Sequence, residues 1–257
     1  MPRFAFLLLC IVSCADAPTD RITTAVQSMK PADARQLLRM VASVYSTCES
    51  YRDSGQVVMI FRGPESWTTV KPFKTVFVRP HRFKYEFTDG NFGGITRRYV
   101  VWSDGESTNS WWTIRPSVRR FKTISEAIAG PTGVSGGSAH RIPTLLLGTK
   151  GTGNRITDMK EPMVVGTQVL DNGRTTYVVD GKNNQGGKVR VWIDKVSHLL
   201  LRINETSSLA GGTNFEQTTT YKPQLNPNVD AKEFSFTPPH QVVLGRLRLD
   251  LPTWFSL

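Results

Sequence analysis

Residues 73–87 read FKTVFVRPHRFKYEF, and the alternation inside that stretch decides the fold. Phe83, Tyr85 and Phe87 fall on one parity, Arg82, Lys84 and Glu86 on the other, and Arg79-Pro80-His81 supplies turn chemistry between two such runs. A strand repeats every two residues, so the pattern buries aromatic rings on one face of a sheet and leaves charges in water on the other. Interleaved basic and aromatic residues, which recur in RRYVVWSDGESTNSWW over 97–112, would also suit a surface that stacks bases. Half-burial in a sheet accounts for the basic residues without a nucleic acid, and none is expected as a partner.

The same period runs outward through most of the chain. From Gln56 onward, QVVMIF, FKTVFV, RFKYEF, RRYVVW, STNSWWTI, PMVVGTQVL, RTTYVVD, KVRVWID, HLLLRIN, FEQTTTYK and EFSF are short β-branched and aromatic runs, separated by RPH, SDG, DNG, GKNNQGG, LAGG and NPN. About eleven strands in succession, with no helix between most of them, predict one antiparallel sheet curled on itself and exclude a parallel βαβ design. Asp171-Asn172-Gly173 is the strongest hairpin signal.

Two segments depart from the strand period. Leu37, Val41, Val44, Tyr45 and Cys48 recur at helical spacing, which predicts an amphipathic helix between Pro31 and Gly55 with Cys48 as a packed core cysteine. Residues 115–160 then hold a basic cluster, a helix-like piece over Ile124 to Ala129, a glycine-rich turn and SAHRIPTLLLG, in which Ser138 is positioned to cap a second short helix. An insertion of this length in the middle of a sheet is usually functional.

Composition bounds the partners. The chain has 257 residues, 39% of them apolar, and a formal charge of +11, so it is globular and attracted to polyanions. Its N-terminus has the layout of an export signal: MPR, then the apolar run Phe4 to Val12, then ADAPTD. Ile11-Val12-Ser13-Cys14 resembles a bacterial lipobox, in which the cysteine is acylated and becomes the first residue; the alternatives are a plain signal peptide cleaved after Ser13 or Ala15, or a buried N-terminal strand. On the lipobox reading residues 1–13 are signal peptide, 14–32 are a tether, Cys48 remains the sole thiol, and the polyanions the chain meets are an anionic membrane surface and acidic polysaccharide, the membrane surface being the expected partner. Arg115, Arg119, Arg120 and Lys122 are the expected contacts with it.

Catalytic constellations are thin. Gly133-Val134-Ser135-Gly136-Gly137 fits a nucleophile elbow in its letters, with His140, His198 or His240 as bases, but an elbow needs a strand leading in and a long helix leading out. A glycine loop is the better reading. The four histidines are scattered, Asp104, Glu106, Asp180 and Asp194 sit mostly in turn signals, and neither a phosphate loop nor a dinucleotide fingerprint is present. No cofactor or metal is expected.

The order of the pieces resembles the LolA/LolB-like bacterial lipoprotein carrier and receptor family. The resemblance is carried by the leading helix, Arg79-Pro80, Arg82-Phe83-Lys84-Tyr85, Val100-Val101-Trp102-Ser103-Asp104-Gly105, the IPTLLL segment, VWIDKVSHLLLRI and EFSFTPP, and it covers roughly residues 33–240, leaving 241–257 as an extension. It implies a mainly β, incomplete barrel closed on its concave face by an N-terminal helix and short lid helices, non-catalytic and monomeric, whose cavity takes acyl chains or lipidated proteins. By position Arg79 matches an arginine that bonds to the lid and controls its opening. Phe77, Phe83, Tyr85, Trp102, Trp111 and Trp112, with Leu145, Leu146 and Leu147 from the lid, are the expected lining. A structural or sensory envelope lipoprotein that docks a partner is the other reading, and a hydrolase using Ser135 a more distant one.

Acylation at Cys14 has a direct check. Cys14→Ser is expected to move the protein from the membrane fraction to the soluble periplasmic fraction; retention in membranes after a salt wash would refute the anchor.

Overall fold

Asp33 starts the first helix by accepting a hydrogen bond from the Gln36 amide at 2.6 Å, so an acidic cap satisfies an amide that the helix leaves unpaired. The helix, α1 (Ala34–Thr47), buries Leu37, Leu38, Val41 and Tyr45, which is the expected apolar stripe; it ends at Cys48, a buried free thiol. The computed structural model describes residues 33–92, 95–148, 156–208 and 212–239. Cys14, the segments 1–32 and 241–257, and His240 lie outside them.

Twelve strands follow in one antiparallel sheet: β1 (Ser50–Arg62), β2 (Trp67–Val78), β3 (Arg82–Phe92), β4 (Ile95–Asp104), β5 (Thr108–Trp112), β6 (Arg115–Phe121), β7 (Lys160–Val169), β8 (Thr175–Lys182), β9 (Lys188–Asp194), β10 (Leu200–Ser208), β11 (Asn214–Tyr221) and β12 (Gln224–Leu225). Their order is β6-β5-β4-β3-β2-β1-β11-β10-β9-β8-β7, with β12 paired to β1. Two meanders, β1 to β6 and β7 to β11, are thus joined where β1 pairs with β11, from Gly55 opposite Tyr221 to Arg62 opposite Asn214. The sheet does not close into a barrel: β6 and β7 stand at opposite ends of the order.

Register fixes what each face carries. Phe77 pairs with Phe83, Phe73 with Phe87 and Tyr85 with Val101, so one face, here called inner, is lined with aromatic and branched residues. Rings run across it from Phe73 through Tyr85, Phe87 and Tyr99 to Trp112, with centroids 5.9 to 6.4 Å apart. This face and the helices laid on it form the main core. The hairpin expected at 171–173 is present, with Gly173 at φ +77, a conformation open to glycine at no steric cost.

Three expectations need correction. Residues 115–121 are the edge strand β6 and not part of the insertion, because their main chain pairs with β5 although they lack apolar alternation; the insertion begins after Phe121. EFSF is no strand: Asp230 and Glu233 form a capping box that winds 231–234 into a 3₁₀ turn and packs Phe234 against the outer face. Ser138 does not cap the second lid helix, since its hydroxyl is taken by Ser135 and Tyr85.

Phe77 has no exposed surface and sits at the centre of the inner face. Phe77→Ala is expected to destabilise the fold by about 3–5 kcal/mol in urea unfolding at constant m-value, since the surrounding strands cannot collapse into the space.

Candidate functional site

The chain between β6 and β7 crosses the inner face. Its first part is α2 (Ile124–Ala129), capped by the Thr123 hydroxyl, which accepts from the Glu126 amide at 3.1 Å, and burying Ile124, Ala127 and Ile128. A glycine-rich segment, 130–140, follows, and then α3 (Arg141–Leu147), which buries Ile142, Leu145 and Leu146 and stops at Gly148 in the left-handed region, φ +62. Pro143 is tolerated because it lies in the first turn. α3 packs on α1, so two helices and a loop lie on the sheet.

Arg79 joins these parts. Its Nε donates to the Cys48 carbonyl at 2.7 Å, and one terminal nitrogen donates to the carbonyls of Tyr45, 3.0 Å, and Leu146, 3.1 Å. Both α1 and α3 therefore end on the same guanidinium, which supplies positive charge where helix carbonyls lack partners. One of the three bonds, that to Leu146, reaches α3.

The glycine-rich segment is docked by side chains from four strands. Lys71 Nζ donates to the Val134 carbonyl at 2.7 Å, Gln217 Nε2 to the Gly136 carbonyl at 2.9 Å, the Tyr85 and Ser138 hydroxyls meet at 2.7 Å, and Arg141 forms an ion pair with Glu205. Lys71 is also 3.4 Å from Asp89, which pairs with Arg97 at 2.9 Å. At Gly136, with φ +63, a Cβ would lie 2.8 Å from Val57 Cγ1, so the main chain lies directly on the sheet.

The expected lining divides by parity. Phe77, Phe83, Tyr85 and Leu146 are 0% exposed and Leu145 is buried beside them, while Trp112 and Leu147 are partly buried against the same cluster. A side chain facing a void the size of a water molecule would retain accessible surface, so those four meet no open cavity in this closed arrangement. Trp102 and Trp111 are on the outer face, which corrects their assignment. Lys84 pairs with Trp102 and Val100 with Trp111, whereas Phe83 pairs with Ser103, so both tryptophans point away from the lid and pack on Phe236.

Ser135 is also 0% exposed. Its hydroxyl donates to the Thr132 carbonyl at 3.3 Å and accepts from the Ala139 amide at 3.2 Å, and the chain reaches it from a turn after α2, so the geometry of a nucleophile elbow is missing. Arg115, Arg119 and Arg120 project from β6, with Lys122 just beyond, and all four are exposed. No ion pair among the described residues involves them. Exposed Ile114 and Val118 stand among them.

Sequence reasoning missed Lys71, Asp53, Glu205 and Gln217. The signal was present, since Lys71 shares the parity of Phe73 and Phe77, and Asp53 that of Tyr51 and Val57. Asp53 is buried on the inner face, where its carboxylate accepts from the Tyr51 hydroxyl at 2.9 Å. Burial pushes its pKa up to about 6, and the hydrogen bonds of Thr75 and Tyr51 offset only part of that.

A family described as "Predicted periplasmic protein (DUF2092)" matches residues 139–244. No curated protein matches the sequence. Among solved structures, LprF from Mycobacterium bovis is similar at 12% identity, covering 77% of this chain and 95% of that one, with a TM-score of 0.44. A LolA superfamily protein from Nitrosomonas europaea is similar at 11% identity over 79% and 98% of the two chains, TM-score 0.33. An outer membrane lipoprotein-sorting protein domain from Vibrio parahaemolyticus is similar at 14% identity over 77% and 95%, TM-score 0.34. Likeness this distant carries no argument about function.

Asp53 makes stability depend on pH in a defined direction. Its folded pKa, about 6, exceeds the ordinary 3.8, so the folded state holds the proton more tightly. The stabilisation is complete below about pH 4 and is lost as pH rises through 6, on the order of 3 kcal/mol. Asp53→Asn is expected to flatten that part of the profile in urea unfolding; an unchanged slope would show that the carboxyl is not titrating there.

Proposed function

We propose that the chain is a non-catalytic, exported lipoprotein that shelters acyl chains or lipidated protein termini on the inner face of its sheet, beneath α2, the glycine-rich segment and α3. The observation that carries this reading is the Arg79 guanidinium, which holds the ends of α1 and α3 together by three hydrogen bonds to main-chain carbonyls. Arg79 is thus a fastening shared by α1 and α3, beside the contacts of Lys71, Gln217, Tyr85 and Glu205 with the same cover.

Magnitudes make the switch reasonable. A hydrogen bond to a charged group contributes roughly 1.5–3 kcal/mol, and of the three Arg79 bonds the one to Leu146 reaches the lid. An acyl chain gains about 0.8 kcal/mol per buried methylene, so about two to four methylenes offset the loss of that bond. A ligand that covers the inner face shifts the population towards the open state. Phe77, Phe83, Tyr85, Trp112 and Leu145 to Leu147 would line the opened face. The carriage of Arg115, Arg119, Arg120 and Lys122 on the edge strand before the lid supports a role in resting that rim on anionic head groups, and a Cys14 anchor would keep it within reach.

The test is displacement of a fluorescent fatty acid from the wild type and from Arg79→Met. Saturable micromolar binding by the wild type is expected, with tighter apparent binding and faster amide exchange over 141–147 in the variant, because the open state costs less. Absence of saturable binding in both proteins would overturn the acyl-site reading.

A further inference from the structure

The lid meets the sheet through groups that an apolar core does not need. Lys71, Glu205 and Gln217 are buried on the inner face, among residues otherwise aromatic and aliphatic. Lys71 and Gln217 both donate to main-chain carbonyls, those of Val134 and Gly136, two residues apart on the segment that covers the face. The segment brings little else to that contact: glycine occupies 133, 136 and 137, and Gly136 lies too close to Val57 for any side chain. It behaves as a strip of peptide carbonyls laid on two fixed donors.

We propose that the Val134 and Gly136 carbonyls stand in for carbonyls of the ligand, so that the inner face selects ester- or amide-linked diacyl compounds over plain hydrocarbon. This deepens the acyl-binding reading above and rests on it. When the lid moves away, Lys71 and Gln217 each lose one acceptor, the Val134 and the Gly136 carbonyl, beneath a surface that acyl chains then cover. A buried donor left without a partner costs more than its hydrogen bond contributes, so a ligand made only of methylenes would be penalised twice. A glycerol diester or a lipidated N-terminus carries two or three carbonyl oxygens within a few bonds of each other, at the root of its chains. The donors are held ready without the loop: Asp89 braces Lys71, and Glu205 accepts a second bond from Gln217 Nε2 at 3.3 Å. Lys71 and Gln217 are therefore specificity-determining residues, while the aromatic rings supply affinity.

The test compares matched probes on the full chain. Dioctanoylglycerol, the dioctyl glycerol ether of equal chain length and a diacylglyceryl-cysteinyl peptide compete for the same apolar fluorophore. The ether keeps the chains and lacks the carbonyls. The wild type is expected to favour the ester over the ether by roughly tenfold or more. Lys71→Met and Gln217→Leu should each erode that preference and, by loosening the cover, tighten ether binding. Preference for the cysteinyl peptide over the glycerol diester assigns lipidated protein as the source; equal binding of the two assigns membrane lipid. Equal affinity of the wild type for ester and ether overturns the inference while leaving the acyl site standing, and needs no variant to fold. Binding of neither removes the acyl site and the inference together.

Discussion

The chain must travel from β6 to β7, and these strands lie at opposite ends of one open sheet. That requirement shapes everything on the inner face. Within β1 to β6 and within β7 to β11 successive strands are neighbours in the sheet, but the connection from β6 to β7 links its opposite edges and carries α2, the glycine-rich segment and α3 with it. Beside α1, what covers the aromatic face is therefore a covalent crossing between edge strands, held by its buried apolar side chains and by a few polar bonds.

Those bonds sit at two places with different chemistry. Arg79 reads helix ends, where carbonyls are available whatever the side chains are. Lys71 and Gln217 read the loop main chain where glycine lets it approach. Neither depends on a particular lid side chain, and they add to the two contacts that do, Ser138 with Tyr85 and Arg141 with Glu205. The buried Asp53 lies on the same inner face beside Tyr51, adding a carboxyl whose pKa burial raises to about 6.

Much of this was legible in the sequence, for reasons that differ by element. Phe83, Tyr85 and Phe87 announce a strand because burial on one face forces a period of two, and Leu37, Val41 and Tyr45 announce a helix for the corresponding reason. Which tryptophans face the lid was not legible. Trp111 and Trp112 are adjacent and must point oppositely, and only the pairing of Val100 with Trp111 decides which turns inward. β6 was missed because an exposed edge strand is held by its neighbour's main chain and needs no apolar alternation. EFSF was misread because strand-like letters lost to a local capping box. Arg79 was placed by resemblance; nothing in its spacing alone would have found its three carbonyls.

An open sheet also has a colloidal problem that a closed barrel avoids, because each end offers a row of main-chain groups to any extended chain nearby. The two ends are blunted in different ways. β6 carries Arg115, Pro116, Arg119 and Arg120, so a second copy approaching it meets like charge and a residue with no amide to give. β7 has Pro162 near its start and two register shifts, between Lys160 and Met163 and between Val164 and Gly166, which spoil the flat template although Met163, Val165 and Val169 are exposed. On β6 the arginines thus act at the level of the sheet itself: like charge along the strand opposes edge-to-edge pairing of two copies, whatever else they contact.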